Sequence, residues 1–366
     1  VDTVVVSSAI RDDNLELAAA RTMGLRVLHR SQALASLMAG SRRVAVAGAN
    51  GKTTTTSMLV VALEAAGADP CFASGGEIAQ LGTNAAIGSG DAFVVEADES
   101  DGSFLAYRPD VAVVTNVQPD HLDYYGTAER VEQAYTEFVS TVPADGLVVA
   151  CWDDPGSRRL ARAVRDRGRD VVTYGYRAGA DLQVLSTEPD GLGTRSPFVV
   201  AGVERILDLA VPGEHNVMDA CAAYLAAVEG LGAAADAVLV GLAGFAGARR
   251  RFEVRGEVGG VTVVDDYAHN APKVAAVVGT AAALVRRAGT GSVRVIFQPH
   301  LYTRTRDFAA EFAAALAPAD QVVLLDVYGA REAPVEGISS SLIGDPLVAL
   351  PGAMLLLGSP FIFGWA

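Results

Sequence analysis

The run "VAVAGANGKTTTTSML", Val44 to Leu59, closes an apolar stretch with a two-glycine turn and continues into a lysine and four threonines. These residue types suit a polyphosphate. Glycines let the backbone approach an anion, and a helix starting at Lys52 aims free N–H groups and its positive dipole end at the same point. The usual phosphate loop reads G-x-x-x-x-G-K-[ST]. Gly48 is the only glycine upstream of Gly51 in this turn, so the loop is shorter than that pattern. The physical needs survive the shortening: Gly48, Ala49, Asn50, Gly51, Lys52, Thr53 and Thr54 are expected to form the cradle, with the Thr53 hydroxyl offered to Mg²⁺. Lysine occurs only at Lys52 and Lys273 in a chain with 29 basic residues. A lysine kept amid such an arginine bias marks a place that needs a compact, flexible charge.

Other polar clusters follow apolar runs in the same way. "EADESDG" comes after "FVV", and its carboxylates suit a hard cation. An EF-hand register with Gly102 as the turn glycine puts Ala97 first and Arg108 twelfth, so that reading fails. Glu96, nearest the strand end, is the expected Mg²⁺ ligand, and the remaining acids either join it or are solvated. "TNVQPDHLD" adds Asn116, Asp120 and His121, where the histidine is either a ligand or a hydrogen-bonded helix cap. Asp265 to Asn270 and Gln298 to Arg306 complete the set.

Positioning these clusters requires alternating strands and helices. Valine-rich runs such as "RVAVAG", "AFVVEAD", "VAVVTN", "GLVVAC", "DVVTYG", "VTVVDD" and "VRVIFQ" are separated by stretches with amphipathic-helix spacing, among them "TTSMLVVALEAAG", "AERVEQAYTEFVSTV" and "RDFAAEFAAALA". That is the pattern of βαβ units around a mostly parallel sheet, whose ligands bind beyond the carboxyl ends of the strands. Between Tyr174 and Val211 the pattern turns to alternating polar segments, read as an antiparallel hairpin insertion.

With 366 residues the chain has room for two or three domains. A net charge of −14 and a pI near 4.8 argue against a nucleic-acid partner. Cys71, Cys151 and Cys221 are odd in number and widely spaced, which fits a reducing cytoplasm better than a disulfide framework. No basic stretch followed by an apolar core opens the sequence, so no signal peptide is expected. "VDTVVVSSAI" at the head looks like a strand already under way, so the chain is expected to begin within a domain.

In order along the chain, "VAVAGANGKTTTTSML", "VVEADESDGSF", "TNVQPDHLDYYG", "VPGEHNVMDACAA", "GARRRFE", "DDYAH" and "FQPHLYTRTRDF" resemble the Mur ligases of peptidoglycan synthesis. "EADESDGSF" and "FQPHLYTRT" resemble the branch that joins L-alanine to UDP-N-acetylmuramate. The resemblance implies an α/β Mur ligase fold, with a P-loop central domain on a mostly parallel sheet and a Rossmann-like C-terminal domain. It implies residues 1–40 as the remnant of a UDP-sugar domain, 41–250 as the ATP-binding domain, and 251–366 as an amino-acid-binding domain, incomplete and atypical after about 338. It further implies ATP-dependent amide formation, in which the γ-phosphate activates the muramate carboxylate as an acyl phosphate and the alanine amine displaces phosphate. By the same resemblance Lys52 contacts the phosphates, Thr53 and Glu96 hold one Mg²⁺, and His121 helps to hold a second. Asn216, Arg251 and Asp265 match ATP contacts. Asn84, His269, His300 and Arg304 match substrate contacts, the last two in catalytic roles. A cytoplasmic monomer or homodimer is expected.

Four residues depart from the family pattern: Asn50 replaces a usual histidine, Asp219 a usual asparagine, and Asn270 with Ala271 a usual histidine and proline. The final "PLVALPGAMLLLGSPFIFGWA" is long and apolar enough to raise a membrane span. Its prolines and glycines argue against a regular helix, and a stretch read out of frame or an artificial end explains it more simply. Two rivals stay open: a murein tripeptide ligase, and a nucleotide-binding remnant without ligase activity.

Overall fold

The computed structural model describes residues 1–330, 332–349 and 354–357. The chain divides into two units, Val1–Arg249 and Arg250–Ala366.

The first unit opens with β1 (Thr3–Val6) and β2 (Arg26–His29), which pair in parallel across α1 (Leu15–Thr22) and lead into α2 (Arg30–Leu37). The strand at the head of the chain is therefore present. Next come β3 (Arg42–Ala47), α3 (Lys52–Ala65), β4 (Cys71–Ile78), β5 (Thr83–Ala86), β6 (Ala92–Glu96) and β7 (Val111–Val114). They are followed by α4 (Leu122–Tyr125), α5 (Ala128–Ser140), β8 (Leu147–Cys151), α6 (Pro155–Asp166) and β9 (Val171–Gly175).

These strands build one sheet whose parallel part runs β4-β6-β3-β7-β8-β9. β3 is buried on both faces: Val44 and Val46 enter a core with Met58 and Leu63 of α3, while Ala45 and Ala47 enter another with Tyr135 and Phe138 of α5. Helices on both sides explain the uninterrupted apolar runs, since a parallel strand has no solvated face to mark with polar residues. β6 and β7 flank β3, so three loops that are distant in sequence leave the sheet side by side at one edge.

The segment expected as a hairpin insertion is partly corrected. Its first strand, β10 (Leu182–Val184), continues the sheet in parallel beside β9. Then β11 (Glu188–Asp190), β12 (Gly193–Val200) and β13 (Val203–Leu209) add antiparallel pairs. α7 (Glu214–Leu225) and α8 (Ala235–Ala243) return over the face that α3 covers.

In the second unit β14 (Glu253–Val258) and β15 (Val261–Asp265) form an antiparallel ribbon. "VTVVDD" was expected in a parallel sheet. Gly259 and Gly260, both at positive φ (59° and 76°), instead make the tight two-residue turn of a hairpin. α9 (Ala271–Ala288) follows, capped by the Asn270 side chain, which accepts from Lys273 N at 3.0 Å. β16 (Arg294–Phe297), β17 (Gln321–Leu324) and β18 (Met354–Leu357) form a parallel sheet in that order. The stretch "RDFAAEFAAALA" is not one helix: α10 (Tyr302–Asp307) and α11 (Ala309–Leu316) meet at Phe308, which leaves helical geometry at φ −127°, ψ 25°. α12 (Ser341–Val348) packs Ile343 and Leu347 into this unit's core despite Pro346 inside it. The rest of the apolar ending lies mostly outside the described residues. No helix among the described residues is long and apolar enough to cross a membrane.

Candidate active site

β3 delivers the turn Gly48–Gly51 to the carboxyl edge of the sheet, and the end of β7 closes the turn from behind. Asn50 is clasped at both backbone groups: its N–H donates to Asn116 Oδ1 (3.0 Å), and its carbonyl accepts from Asn116 Nδ2 (2.9 Å) and Thr115 Oγ1 (2.6 Å). Gly48, at φ +143°, lies so close to Thr115 that a Cβ there would collide with Thr115 Oγ1. A Cβ on Gly51, at φ +87°, would meet Asp219 Oδ1 from α7. Both glycines are therefore demanded by conformation and by space. Ala49 and Thr54 are buried beside them, and α3 starts at Lys52 with its first turn facing the loop.

The charged groups gather at the mouth of this turn. Lys52 Nζ donates to Gly48 O (2.7 Å) and to Glu99 Oε1 (3.0 Å), and lies 2.9 Å from Glu99 Oε2. Thr53 Oγ1 donates to Glu96 Oε1 (3.0 Å), and Glu96 Oε2 accepts from Gly75 N (2.6 Å). His121 Nε2 is 3.8 Å from Glu99 Oε1 and 3.9 Å from Asp120 Oδ2. His121 precedes α4 in the left-handed region (φ 53°, ψ 39°) and its ring caps nothing, so the helix-cap alternative falls away. The structure thus brings Lys52, Thr53, Glu96 and His121 into one place.

The acids after Glu96 are not simply solvated. Glu99 is only 3% exposed at its side chain. Burial pushes its carboxyl above the usual range, and the Lys52 ammonium opposes that rise. Asp98 and Asp101 turn the other way, toward residues 1–40: Arg30 donates to Asp98 (3.1 Å), Ser8 donates to Asp101 (2.7 Å), and His29 Nε2 lies 3.5 Å from Asp101. Hydrogen bonds from Ser103 and Ser8 hold Asp101 below the ordinary carboxylate range against its partial burial. Glu99, paired with Lys52, is the neighbour of the cradle that the sequence reading did not single out. Four acids stand close together in "EADESDG", and nothing in their spacing says which one turns inward.

Asn216, at the start of α7, is buried and donates from Nδ2 to Pro212 O (2.6 Å). One turn on, Asp219 is also buried and faces Gly51. Asn84 lies on the edge strand β5, exposed, with Nδ2 3.5 Å from Ser74 O; the structure does not set it among the cradle residues.

In the second unit a separate cluster forms. His269 Nδ1 faces Tyr267 O at 3.0 Å, and Arg304 donates to His269 O at 3.4 Å. The His269 and His300 rings are 6.4 Å apart, and Tyr328 lies 5.6 Å beyond His300. Burial, with Lys273, Arg304 and Arg251 nearby, pushes the His269 pKa down to about 3, so its ring is neutral at physiological pH. Arg251 also acts on Asp266, whose carboxyl is raised by burial, while Asp265 Oδ2 is 4.0 Å from Arg250 Nε. His269, His300 and Arg304 are thus neighbours, with Arg251 near His269.

Among the described residues no group of three His, Cys, Asp or Glu side chains is placed to hold a metal by itself. Mg²⁺ seldom needs one, since it commonly takes one or two protein oxygens and fills its sphere with phosphates and water. Two oxygen donors 3.0 Å apart, Thr53 Oγ1 and Glu96 Oε1, beside an anion cradle fit that requirement.

The Mur ligase middle domain matches residues 46–227, the glutamate ligase domain of Mur ligases 250–352, and the Mur ligase family catalytic domain 1–42. The UDP-N-acetylmuramate–L-alanine ligase of Arthrobacter sp. (strain FB24) is 56% identical over 350 residues, 95% of this chain and 73% of its own. That of Kineococcus radiotolerans is 58% identical over 350 residues, 96% of this chain and 73% of its own. The crystal structure of the UDP-N-acetylmuramate–alanine ligase of Thermotoga maritima superposes with a TM-score of 0.80 at 29% identity, covering 98% of this chain and 77% of that one. With relatives this similar along nearly its whole length, and a glycine turn, lysine, hydroxyl and carboxylates assembled at one sheet edge, the chain belongs to the Mur ligase family.

Proposed function

We propose that this chain joins L-alanine to the carboxylate of UDP-N-acetylmuramate at the expense of ATP, in the synthesis of peptidoglycan precursors. The observation that carries the reading is the meeting of Lys52, Thr53 and Glu96 at the mouth of the Gly48–Gly51 turn. Relatives 56% and 58% identical that bear this activity supply the reaction and the substrates.

A carboxylate resists attack by an amine because it has no adequate leaving group. Transfer of the ATP γ-phosphate to the muramate carboxylate creates an acyl phosphate. The alanine amine then adds to its carbonyl, and the C–O bond breaks with release of phosphate. The chain's contribution is chiefly orientation and charge neutralisation. The backbone N–H groups at the start of α3 and the Lys52 ammonium cradle the phosphates. Thr53 and Glu96 would hold Mg²⁺, with His121 beside a second ion. Mg²⁺, when bound, neutralises phosphate charge. Asn50, clasped by Asn116 and Thr115, keeps the loop in one conformation. Asn216, Arg251 and Asp265 are assigned to ATP. His269, His300 and Arg304 are assigned to the reacting carboxylate and the amine, and Asn84 to substrate. Residues 41–250 then serve as the ATP-binding domain and the residues after 250 as the amino-acid-binding one. The cytoplasm is the compartment that holds these substrates.

Phosphate release by the purified chain, supplied with Mg²⁺, ATP and UDP-N-acetylmuramate, tests the assignment. Release should require L-alanine, should not be supported by the murein tripeptide, and should disappear in Lys52→Ala. Turnover with the tripeptide alone would make the chain a tripeptide ligase. ATP binding without phosphate release under any of these conditions would leave a nucleotide-binding protein only.

A further inference from the structure

A cradle for a polyanion gains from positive charge that is free to meet it. This one holds a buried carboxylate against its lysine: both Glu99 oxygens lie within 3.0 Å of Lys52 Nζ. Glu99 is not placed there by chance of a flexible side chain. Its carbonyl accepts from Tyr125 Oη (2.6 Å) and from Gly102 N (3.1 Å), while Asp98 and Asp101 on either side are tied to Arg30, Ser8 and His29. These bonds fix the backbone from which the carboxylate reaches Lys52. Lys52 is also drawn back over the turn by its bond to Gly48 O (2.7 Å).

We propose that Glu99 is a positioning residue that holds Lys52 as a charge-neutral pair in the empty cradle and thereby makes nucleotide binding conditional on a divalent cation. When the ammonium turns to a phosphate, Glu99 loses its counter-ion inside the protein. A buried charge stripped of its partner is strongly unfavourable. A free polyphosphate adds more negative charge at that moment, so it is resisted twice. A cation arriving with the nucleotide beside Thr53 and Glu96 restores the balance, and the same polyphosphate is then accepted. The inference rests on the reading of this cradle as the nucleotide site, and it adds a residue to which the family resemblance assigns no role.

Titration calorimetry on the full chain separates the two claims. ATP is titrated in Mg²⁺ and in excess EDTA, into wild type, Glu99→Gln and Glu99→Asp, with the unfolding midpoint of each variant recorded. Glu99→Gln keeps the size and removes the charge. It should bind metal-free ATP about tenfold or more tightly than wild type, as expected for deleting one like charge several ångströms from the phosphates. The ratio of affinities with and without Mg²⁺ should shrink accordingly. Glu99→Asp draws the carboxylate back by about one bond length and should shift the ratio the same way by less. A purely structural role predicts weaker binding in both conditions. Metal-free binding that is unchanged or weaker in a folded Glu99→Gln protein overturns the inference, as does equal wild-type affinity for the two forms of ATP. Wild type that binds neither form overturns the nucleotide assignment itself.

Discussion

Replacing Gly48 with alanine probes whether the turn is held by its contact with the end of β7. The residue sits at φ +143°, a region essentially reserved for glycine, so a side chain there carries a strain of about 1–3 kcal/mol. The added Cβ must also displace Thr115 Oγ1, whose one proton is shared between Asn50 O (2.6 Å) and Ala47 O (3.2 Å). Loss of this one shared hydrogen bond adds about 1 kcal/mol. Gly48→Ala should therefore cost about 2–4 kcal/mol in urea unfolding followed through Trp152 in the first unit. Thr115→Ala alone should cost about 1–2 kcal/mol. In the double variant the worst collision is gone, leaving Asn116 N at 3.1 Å and Thr115 Cβ at 3.2 Å from the new methyl. The combined loss should then fall short of the sum by about 1 kcal/mol or more, the signature of a direct contact. Additivity within about 0.5 kcal/mol, or a Gly48→Ala variant as stable as wild type, would refute the account of the turn.

Two further outcomes follow from the charges. Asp219→Asn replaces a buried carboxyl that faces Gly51 with a neutral amide, so ATP affinity in Mg²⁺ should rise several-fold by calorimetry; a fall would mean that the carboxyl serves the nucleotide. His269 resists protonation in the folded state down to a pKa of about 3, whereas an unfolded histidine takes up a proton near pH 6.5. The unfolded state therefore binds more protons between those values, and stability falls as pH drops through this window. His269→Gln should flatten that fall between pH 7 and pH 5, measured as the change in urea midpoint. An identical slope in the two proteins would count against a ring kept neutral by the fold.

Local chemistry was the legible part of this sequence. The Val44–Leu59 run showed its strand, glycine turn and helix start because each demands particular residues, and Glu96 stood out by following a strand directly. What depends on tertiary direction was not legible. Glu99 and Asp98 are neighbours of the same charge, yet one faces the lysine and the other an arginine some seventy residues earlier in the chain. The β14–β15 ribbon carries valines like those of the parallel strands, and only the pair Gly259-Gly260 distinguishes it. Phe308 breaks a helix whose apolar spacing runs on unbroken. Asn270 shows a substitution with a local reason, since it caps α9.

Strand β3 lies in the middle of its sheet, but the two neighbours that complete it, β6 and β7, come later in the chain. During synthesis the lysine-bearing turn must wait for some sixty more residues to emerge before Asn116 can grip it, and ordering such distant partners is intrinsically slow. No short excised peptide around Lys52 can therefore keep the shape that receives a phosphate, and the appearance of nucleotide affinity in a growing chain would date the closing of the sheet.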